Sequence, residues 1–149
     1  MKSGLLHPTA QDNDSAIQWP VPIGTAASLS GISPKMLRHY ESLGLLGRVS
    51  RTGSNYRQYS LADVHTLRFI RRARDLGFGL DDITELLGLW QNRRRSSAQV
   101  KQVAQHHLDE LDRRIEQMQA MQRSLQALLC ACPGDERPDC PILDDLAHP

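Results

Sequence analysis

All three cysteines of the chain lie in the segment CACPGDERPDCP, residues 130–141. Such a cluster fits four kinds of chemistry: a structural thiol, a disulfide, a redox pair or a metal site. A structural role suits Cys130, which adjoins the apolar seam of a predicted helix, but not Cys140, whose surroundings are polar. A redox pair usually has the Cys-x-x-Cys spacing at a helix start, whereas seven residues separate Cys132 from Cys140. A disulfide and a metal site are left for Cys132 and Cys140.

The cellular compartment decides between these two. Residues 1–20 lack the basic-then-apolar layout of a secretory signal, and no apolar run approaches the roughly 20 residues needed to span a bilayer. We therefore expect a cytoplasmic protein without a membrane partner, in which thiols stay reduced and a Cys132–Cys140 disulfide is disfavoured. Metal ligation then fits this pair best.

The prolines that follow both cysteines favour a loop that brings the thiols together. Pro133 and Pro141 disfavour helical backbone at the preceding cysteine, so we expect extended geometry at Cys132 and Cys140. Pro133-Gly134 is a typical start of a turn. The long helix is therefore predicted to end at Cys132, with Cys140 returning to face it.

The number of ligands decides which metal such a loop would hold. Thiolates suit soft ions such as Cu(I) and Zn(II), but zinc prefers four ligands. His106 and His107 lie more than 20 residues back along the helix, about 30 Å or more away. In an antiparallel dimer the partner's helix start would approach the loop, and that start offers Ser97 but no cysteine or histidine. Two thiolates alone favour linear coordination of a monovalent ion.

The predicted elements that precede the cysteine segment begin with a helix-turn-helix. IGTAASLSG forms a short helix ended by Gly31, and SPKMLRHYESLG forms a second with Ser33 as N-cap, Pro34 at the first position and Gly44 as the stop. The short SGIS connection between them is typical of this motif.

A basic hairpin follows, in GRVSRTGSNYRQYS, and completes a winged-helix layout. Residues 35–75 carry nine Lys or Arg against three acids, a net charge of +6, which indicates a phosphate-facing surface or, alternatively, a solvated helix face. The predicted DNA contacts are Lys35, Arg38, Tyr40, Tyr56 and Arg57. For the two tyrosines the alternative is a half-buried core position, and for the two arginines it is a solvated salt bridge.

Two further helices and a long one complete the chain. Ser60 and Asp63 form a capping signal before the third helix, and LDDITELLGLW is a fourth, with Ile83, Leu86, Leu87 and Trp90 expected to be buried. Ser96 and Gln99 cap a helix whose apolar seam has coiled-coil spacing, interrupted only by a glutamine. The seam consists of Leu108, Leu111, Ile115, Met118, Gln122, Leu125, Leu129 and Cys132. We expect an antiparallel or parallel homodimer through this helix.

The predicted fold is mainly α: a winged helix-turn-helix domain, a long dimerisation helix and a metal-binding loop. The segments are a flexible tail at 1–20, the DNA-binding domain at 21–90, a linker and coiled-coil helix at 91–131, and the loop with a C-terminal tail at 132–149.

IGTAASLSGISPKMLRHYESLGLL, NYRQY and LRFIRRARDLGFGLDDITELL resemble the MerR family of bacterial transcription regulators, over about residues 21–146. The resemblance implies a regulator and not an enzyme: two modules at the ends of an antiparallel coiled coil bind a promoter whose spacer is too long for RNA polymerase. Effector binding then bends and untwists the DNA. Lys35, Arg38 and Tyr40 match DNA-contacting positions of the recognition helix, and Tyr56 and Arg57 match those of the wing. Asn55 stands where the family often has Gly, and asparagine tolerates the left-handed backbone expected there.

CPGDERPDCPI and SSAQVK further resemble the CueR-type copper efflux regulators, which bind Cu(I), Ag(I) or Au(I) through two cysteines. The position of Ser97 carries a cysteine in divalent sensors of the family, so Ser97 is implied to set metal selectivity. The alternatives are a site for Zn(II) or another divalent ion that includes Cys130, and a thiol-based redox sensor.

Overall fold

The computed structural model describes residues 14–92, 94–136 and 138–148, and the chain divides into an N-terminal unit, Met1–Arg95, and a C-terminal unit, Ser96–Pro149. The N-terminal unit contains a 3-10 helix, Asp14–Ala16, and then β1 Val21–Pro22, α1 Ile23–Ser30, α2 Pro34–Ser42, β2 Ser50–Arg51, β3 Arg57–Tyr59, α3 Leu61–Asp75 and α4 Leu80–Gln91. The C-terminal unit contains α5 Ser97–Ala131 and α6 Pro141–Ala147. None of the helices in the described ranges is both long and apolar enough to cross a membrane.

The predicted helix-turn-helix is confirmed at α1 and α2. Gly31 ends α1 in the left-handed conformation, at φ 69°, and its N–H donates to the carbonyl of Ala27. Ser33 caps α2 by accepting from the backbone N–H of Met36, and Pro34 occupies the first helical position. These caps are local, which is why the sequence pattern locates both helices closely.

The predicted hairpin is formed by β2 and β3, which pair antiparallel with Arg51 opposite Arg57. Asn55 takes the positive φ expected of it, 65°, in the turn between them. The sequence pattern did not indicate β1, a two-residue strand that pairs with β3 through Val21 and Tyr59 and gives a sheet of order β1-β3-β2. A strand this short cannot show the alternation of apolar and polar residues that predicts a strand, and Pro22 lacks a backbone N–H to donate.

The core of the N-terminal unit lies between the sheet and helices α1 to α4. One face of α3 is buried, and Tyr59, Leu37 and Ile83 join it with no exposed surface. Trp90 was predicted to be buried, but 41% of its surface is exposed. Its ring stacks on Phe69 at a centroid distance of 4.9 Å, so only one face is covered. The main buried set is Val21, Ala26, Leu37, Tyr40, Leu45, Leu46, Tyr59, Val64, Leu67, Ile70, Ala73, Ile83 and Leu87.

Residues 14–20 differ from the flexible tail predicted for residues 1–20. Asp14 is buried at the start of the 3-10 helix, and Ile17 and Trp19 pack against the core. The indole N–H of Trp19 also donates to the carbonyl of Asp14, at 3.3 Å. The sequence did not predict that residues 14–20 are ordered, because they are polar and aperiodic and because most of their partners are distant in the chain. Residues 1–13 lie outside the described part.

The C-terminal unit is built on α5, which begins with the predicted capping box of Ser96 and Gln99. Its 35 residues give a length of about 52 Å at 1.5 Å per residue. The helix ends where the prolines predicted, with Cys132 as its C-cap. A second helix, α6, lies against α5 after the cysteine loop. It was not predicted, because seven residues are too few to show a helical period.

Candidate DNA interface and metal-binding loop

The exposed side of α2 carries side chains suited to nucleic acid. Lys35, Arg38, His39 and Ser42 are all exposed, and their i, i+3, i+4, i+7 spacing places them in one stripe along the helix. Leu37 on the opposite side is fully buried. The second helix of a helix-turn-helix enters the major groove, and in α2 the exposed face carries the two cations predicted to contact DNA.

Tyr40 does not share that stripe. Only 6% of its surface is exposed, and it packs within the core of the N-terminal unit. For Tyr40 the structure therefore has the core position that was the alternative to a phosphate contact. The helical spacing explains why Tyr40 is buried, because position 40 lies one turn from buried Leu37 and not from the exposed Lys35.

The wing presents Tyr56 and holds Arg57. Tyr56, which follows the turn of the hairpin, is 72% exposed. The Nε of Arg57 donates to Glu41 on α2 at 2.6 Å, and Arg51 lies 3.9 Å from the same carboxylate. Glu41 thus ties the wing to the recognition helix. For Arg57 the structure has the salt bridge that was the alternative to a DNA contact, and its guanidinium is held beside α2.

Two of the arginines on α3 donate hydrogen bonds to the backbone at the end of α1. Nη1 of Arg71 donates to the carbonyl of Gly31 at 2.8 Å, and Nε of Arg68 donates to the carbonyl of Leu29 at 3.1 Å. Both arginines therefore satisfy carbonyl groups at the C-terminal end of α1, which the helix itself leaves without partners. Sequence reasoning missed this role. The sequence did carry a signal for it: Arg68 and Arg71 directly follow Leu67 and Ile70, which are buried, so both arginines begin close to the core.

The cysteine loop has the backbone that the prolines predicted. Cys132 has φ −81° and ψ 121°, and Cys140 has φ −129° and ψ 103°, so both are extended. The N–H of Cys132 donates to Leu128 at the end of α5, while the carbonyl of Cys140 accepts from Asp144 in the first turn of α6. Gly134 turns the chain between them with φ 64°. Each thiol is therefore fixed at the end of a helix.

The thiols differ in exposure. Cys132 and Cys140 are half-buried, and Cys130 is exposed on the last turn of α5. Within the described ranges, no three His, Cys, Asp or Glu side chains are grouped closely enough to hold a metal ion. The predicted ligands of the loop are the two sulfur atoms of Cys132 and Cys140, a soft donor type that suits soft ions. The negative end of the α5 dipole also lies at Cys132, which favours a cation there.

Ser97 lies at the opposite end of α5 from Cys132. It is the first residue of the helix and is exposed. About 50 Å of helix separates it from the loop of its own chain. Only a second, antiparallel copy would bring a Ser97 to a cysteine loop.

Known proteins resemble this chain over most of its length. A family model described as MerR HTH family regulatory protein matches residues 21–89, and one described as MerR, DNA binding matches residues 64–128. An HTH-type transcriptional regulator of Pseudomonas aeruginosa is 55% identical over 125 residues, which cover 84% of this chain and 95% of the relative. Heavy metal-dependent transcription regulator 2 of Rhizobium meliloti is 53% identical over 126 residues, 85% of this chain and 86% of the relative.

More distant matches include a relative named CueR and a structure solved with lead(II). The regulator CueR of Escherichia coli O157:H7 is 38% identical over 125 residues, 84% of this chain and 93% of CueR. The transcription regulator PbrR691 from Ralstonia metallidurans CH34, solved in complex with lead(II), superposes with a TM-score of 0.75 at 28% identity, over 85% of this chain and 98% of that one. On these matches, the chain belongs to the MerR family of helix-turn-helix transcription regulators.

Proposed function

We propose that this chain is a metal-responsive regulator in which Cu(I), Ag(I) or Au(I), bound by Cys132 and Cys140, activates genes for copper efflux or detoxification. The names of the similar proteins, heavy metal-dependent regulators and CueR, support a metal effector. The observation that carries the proposal is the pair of half-buried thiols, each fixed in extended backbone at a helix end.

The number of sulfur donors favours a monovalent ion. Two thiolates and one monovalent cation leave a net charge of −1, and linear coordination satisfies such an ion. A divalent ion such as Zn(II) prefers four ligands. The part of the chain that the structure describes holds no third His, Cys, Asp or Glu grouped with the pair. The partner's helix start would add only Ser97, whose hydroxyl is a poor ligand for a soft ion.

A homodimer would complete the core of the C-terminal unit. Along α5, Ile115, Leu125 and Leu129 are half exposed, at 50%, 52% and 57%. An apolar stripe of this length with steps of three and four residues is typical of a coiled-coil seam. We propose an antiparallel pairing, because the length of α5 then brings Ser97 of the partner subunit to the cysteine loop.

DNA binding would use both the recognition helix and the wing. Lys35 and Arg38 lie on the exposed stripe of α2, and Tyr56 projects from the hairpin. Arg57, held by Glu41, would approach the backbone beside them. Two such modules in one dimer would distort the promoter when the effector binds, so that RNA polymerase can engage it. The regulator would act in the cytoplasm, where the thiols are reduced.

The cysteines can be tested one at a time in a promoter-activation assay under reducing conditions. Cys132→Ser and Cys140→Ser should abolish copper-dependent activation while the affinity for promoter DNA is kept. Cys130→Ser is the matched control, since it removes an exposed thiol two residues from Cys132, and it should keep the response. Full induction in both Cys132→Ser and Cys140→Ser would overturn the site.

A second candidate keeps the DNA-binding module and changes the effector to a divalent ion. It is favoured by the similarity to PbrR691, which was solved with lead(II), and by the additional thiol of Cys130. Ser97→Cys separates the two readings. If the effector is monovalent, the added thiol should broaden the response to divalent ions, whereas a site already built for divalent ions should respond to them without the substitution.

A further inference from the structure

A segment that precedes the family match is part of the DNA-binding unit. The match begins at residue 21, yet residues 14–20 fold onto the core through Ile17 and Trp19. We call residues 14–20 the N-terminal clasp. Its most unusual member is Asp14, whose side chain is only 8% exposed. A carboxylate is costly to bury unless it is paired and hydrogen-bonded, so its partners indicate what the clasp does.

Asp14 forms a two-pronged ion pair with Arg68 of α3. Nη1 of Arg68 lies 2.6 Å from Oδ2, and Nη2 lies 3.0 Å from Oδ1. Paired bonds of this kind fix the plane of the guanidinium as well as its position. Nε2 of His65 lies a further 3.4 Å from Oδ2. The Arg68 bond is the main reason that the pKa of Asp14 lies below its ordinary value, despite burial.

The same guanidinium holds the end of α1. Its Nε donates to the carbonyl of Leu29 at 3.1 Å, in the last turn of that helix. Three of the five N–H groups of Arg68 are thereby directed at Asp14 and Leu29. Two residues beyond Leu29, Gly31 begins the turn that sets α2 relative to α1. Arg68 thus links Asp14 of the clasp to the C-terminal end of α1 by hydrogen bonds.

We propose that the N-terminal clasp positions the helix-turn-helix: Asp14 orients Arg68, and Arg68 holds the C-terminal end of α1 and hence the turn before the recognition helix. Arg68 is a positioning residue here and does not contact DNA. The proposal rests on DNA binding through α2, as the proposed function does, but on neither the metal nor the oligomeric state.

Three variants of the full chain test it: Asp14→Asn, Arg68→Lys and the double variant. Asparagine removes the charge and one strong acceptor, while lysine keeps the charge of Arg68 but loses its planar fork. Glu85→Gln is the matched control, because it makes the same carboxylate-to-amide change at an exposed position on α4. Each protein is compared by thermal unfolding and by its affinities for a duplex that the unmodified protein selects from a random pool and for a scrambled duplex.

Both single variants should lower the melting temperature by about 5 °C or more, since Asp14→Asn removes the charge of a largely buried pair and Arg68→Lys removes its two-pronged geometry. The double variant should fall little further, because the two groups act as one unit. At a temperature where all samples are folded, the preference for the selected duplex should fall roughly three- to tenfold, the range that the net loss of one ordinary hydrogen bond corresponds to. Glu85→Gln should match the unmodified protein in both measurements.

Other outcomes overturn the proposal. A lower melting temperature with unchanged duplex preference would mean that the clasp only stabilises the fold. If Arg68→Lys kept full affinity and Asp14→Asn bound both duplexes more tightly, Arg68 would be a phosphate contact. Additive melting shifts would show that Asp14 and Arg68 act independently, and this result does not depend on DNA. Failure of the unmodified protein to prefer any duplex would instead count against the proposed function.

Discussion

Gly31 is a position of the helix-turn-helix where a side chain would meet both a left-handed backbone and a close neighbour. Its φ of 69° lies in the left-handed region, and a Cβ built there would lie 1.4 Å from Nη1 of Arg71. That nitrogen donates to the carbonyl of Gly31 itself. Alanine would therefore add about 1–2 kcal/mol of backbone strain and displace a hydrogen bond worth about 0.5–1.5 kcal/mol. We expect Gly31→Ala to lower the free energy of unfolding by about 1.5–3.5 kcal/mol.

Gly24 provides a control within the same helix. No atom lies within 4 Å of a Cβ built at Gly24, and alanine is the better helix former. Gly24→Ala should be neutral or stabilise by up to about 1 kcal/mol. Urea unfolding of the two variants, followed by circular dichroism, measures the difference. The reasoning is refuted if Gly31→Ala is as stable as the unmodified protein, or if both alanines destabilise equally.

Four positions carry the remaining predictions. Ser60→Ala should lower the free energy of unfolding by about 1 kcal/mol, because it removes the capping box of α3; an unchanged urea midpoint would contradict this. The pKa of Asp14 is lowered from 3.8, so its stabilisation should be complete above pH 3.8 and be lost as the pH falls below it. The melting temperatures of the unmodified protein and Asp14→Asn should therefore converge in acid, and a constant gap would be inconsistent with the ion pair. Leu125→Asp should dissociate the proposed dimer in sedimentation experiments, and an unchanged mass would exclude this seam. Tyr56→Phe should weaken binding to selected and scrambled duplexes by the same factor, as loss of a phosphate contact would; a change in preference would instead point to base contact.

The helix ends could be read from the sequence because their signals are local. Ser33, Ser60 and Ser96 each accept a hydrogen bond from a residue three positions later, so a window of four residues contains the whole interaction. The extended backbone at Cys132 and Cys140 likewise follows from the next residue alone.

What the sequence did not reveal depends on distant partners. Asp14 and Arg68 are 54 positions apart, and β1 exists only because Val21 meets Tyr59. Without those partners, residues 14–20 have the composition of a tail. The sequence likewise left open whether Tyr40 lies in the core, since a family motif identifies the residue type but not the side of α2 that faces the core.

The two-thiol site is the central claim, and anaerobic metal titration of the reduced protein tests it most directly. Binding stoichiometry and transcription from the promoter are measured together for Cu(I) and for Zn(II), with Cys130→Ser as a parallel sample. We predict one Cu(I) per Cys132–Cys140 pair, activation at that stoichiometry, the same result for Cys130→Ser, and no activation by Zn(II). Activation by Zn(II) alone, or Cu(I) binding that depends on Cys130, would contradict the account.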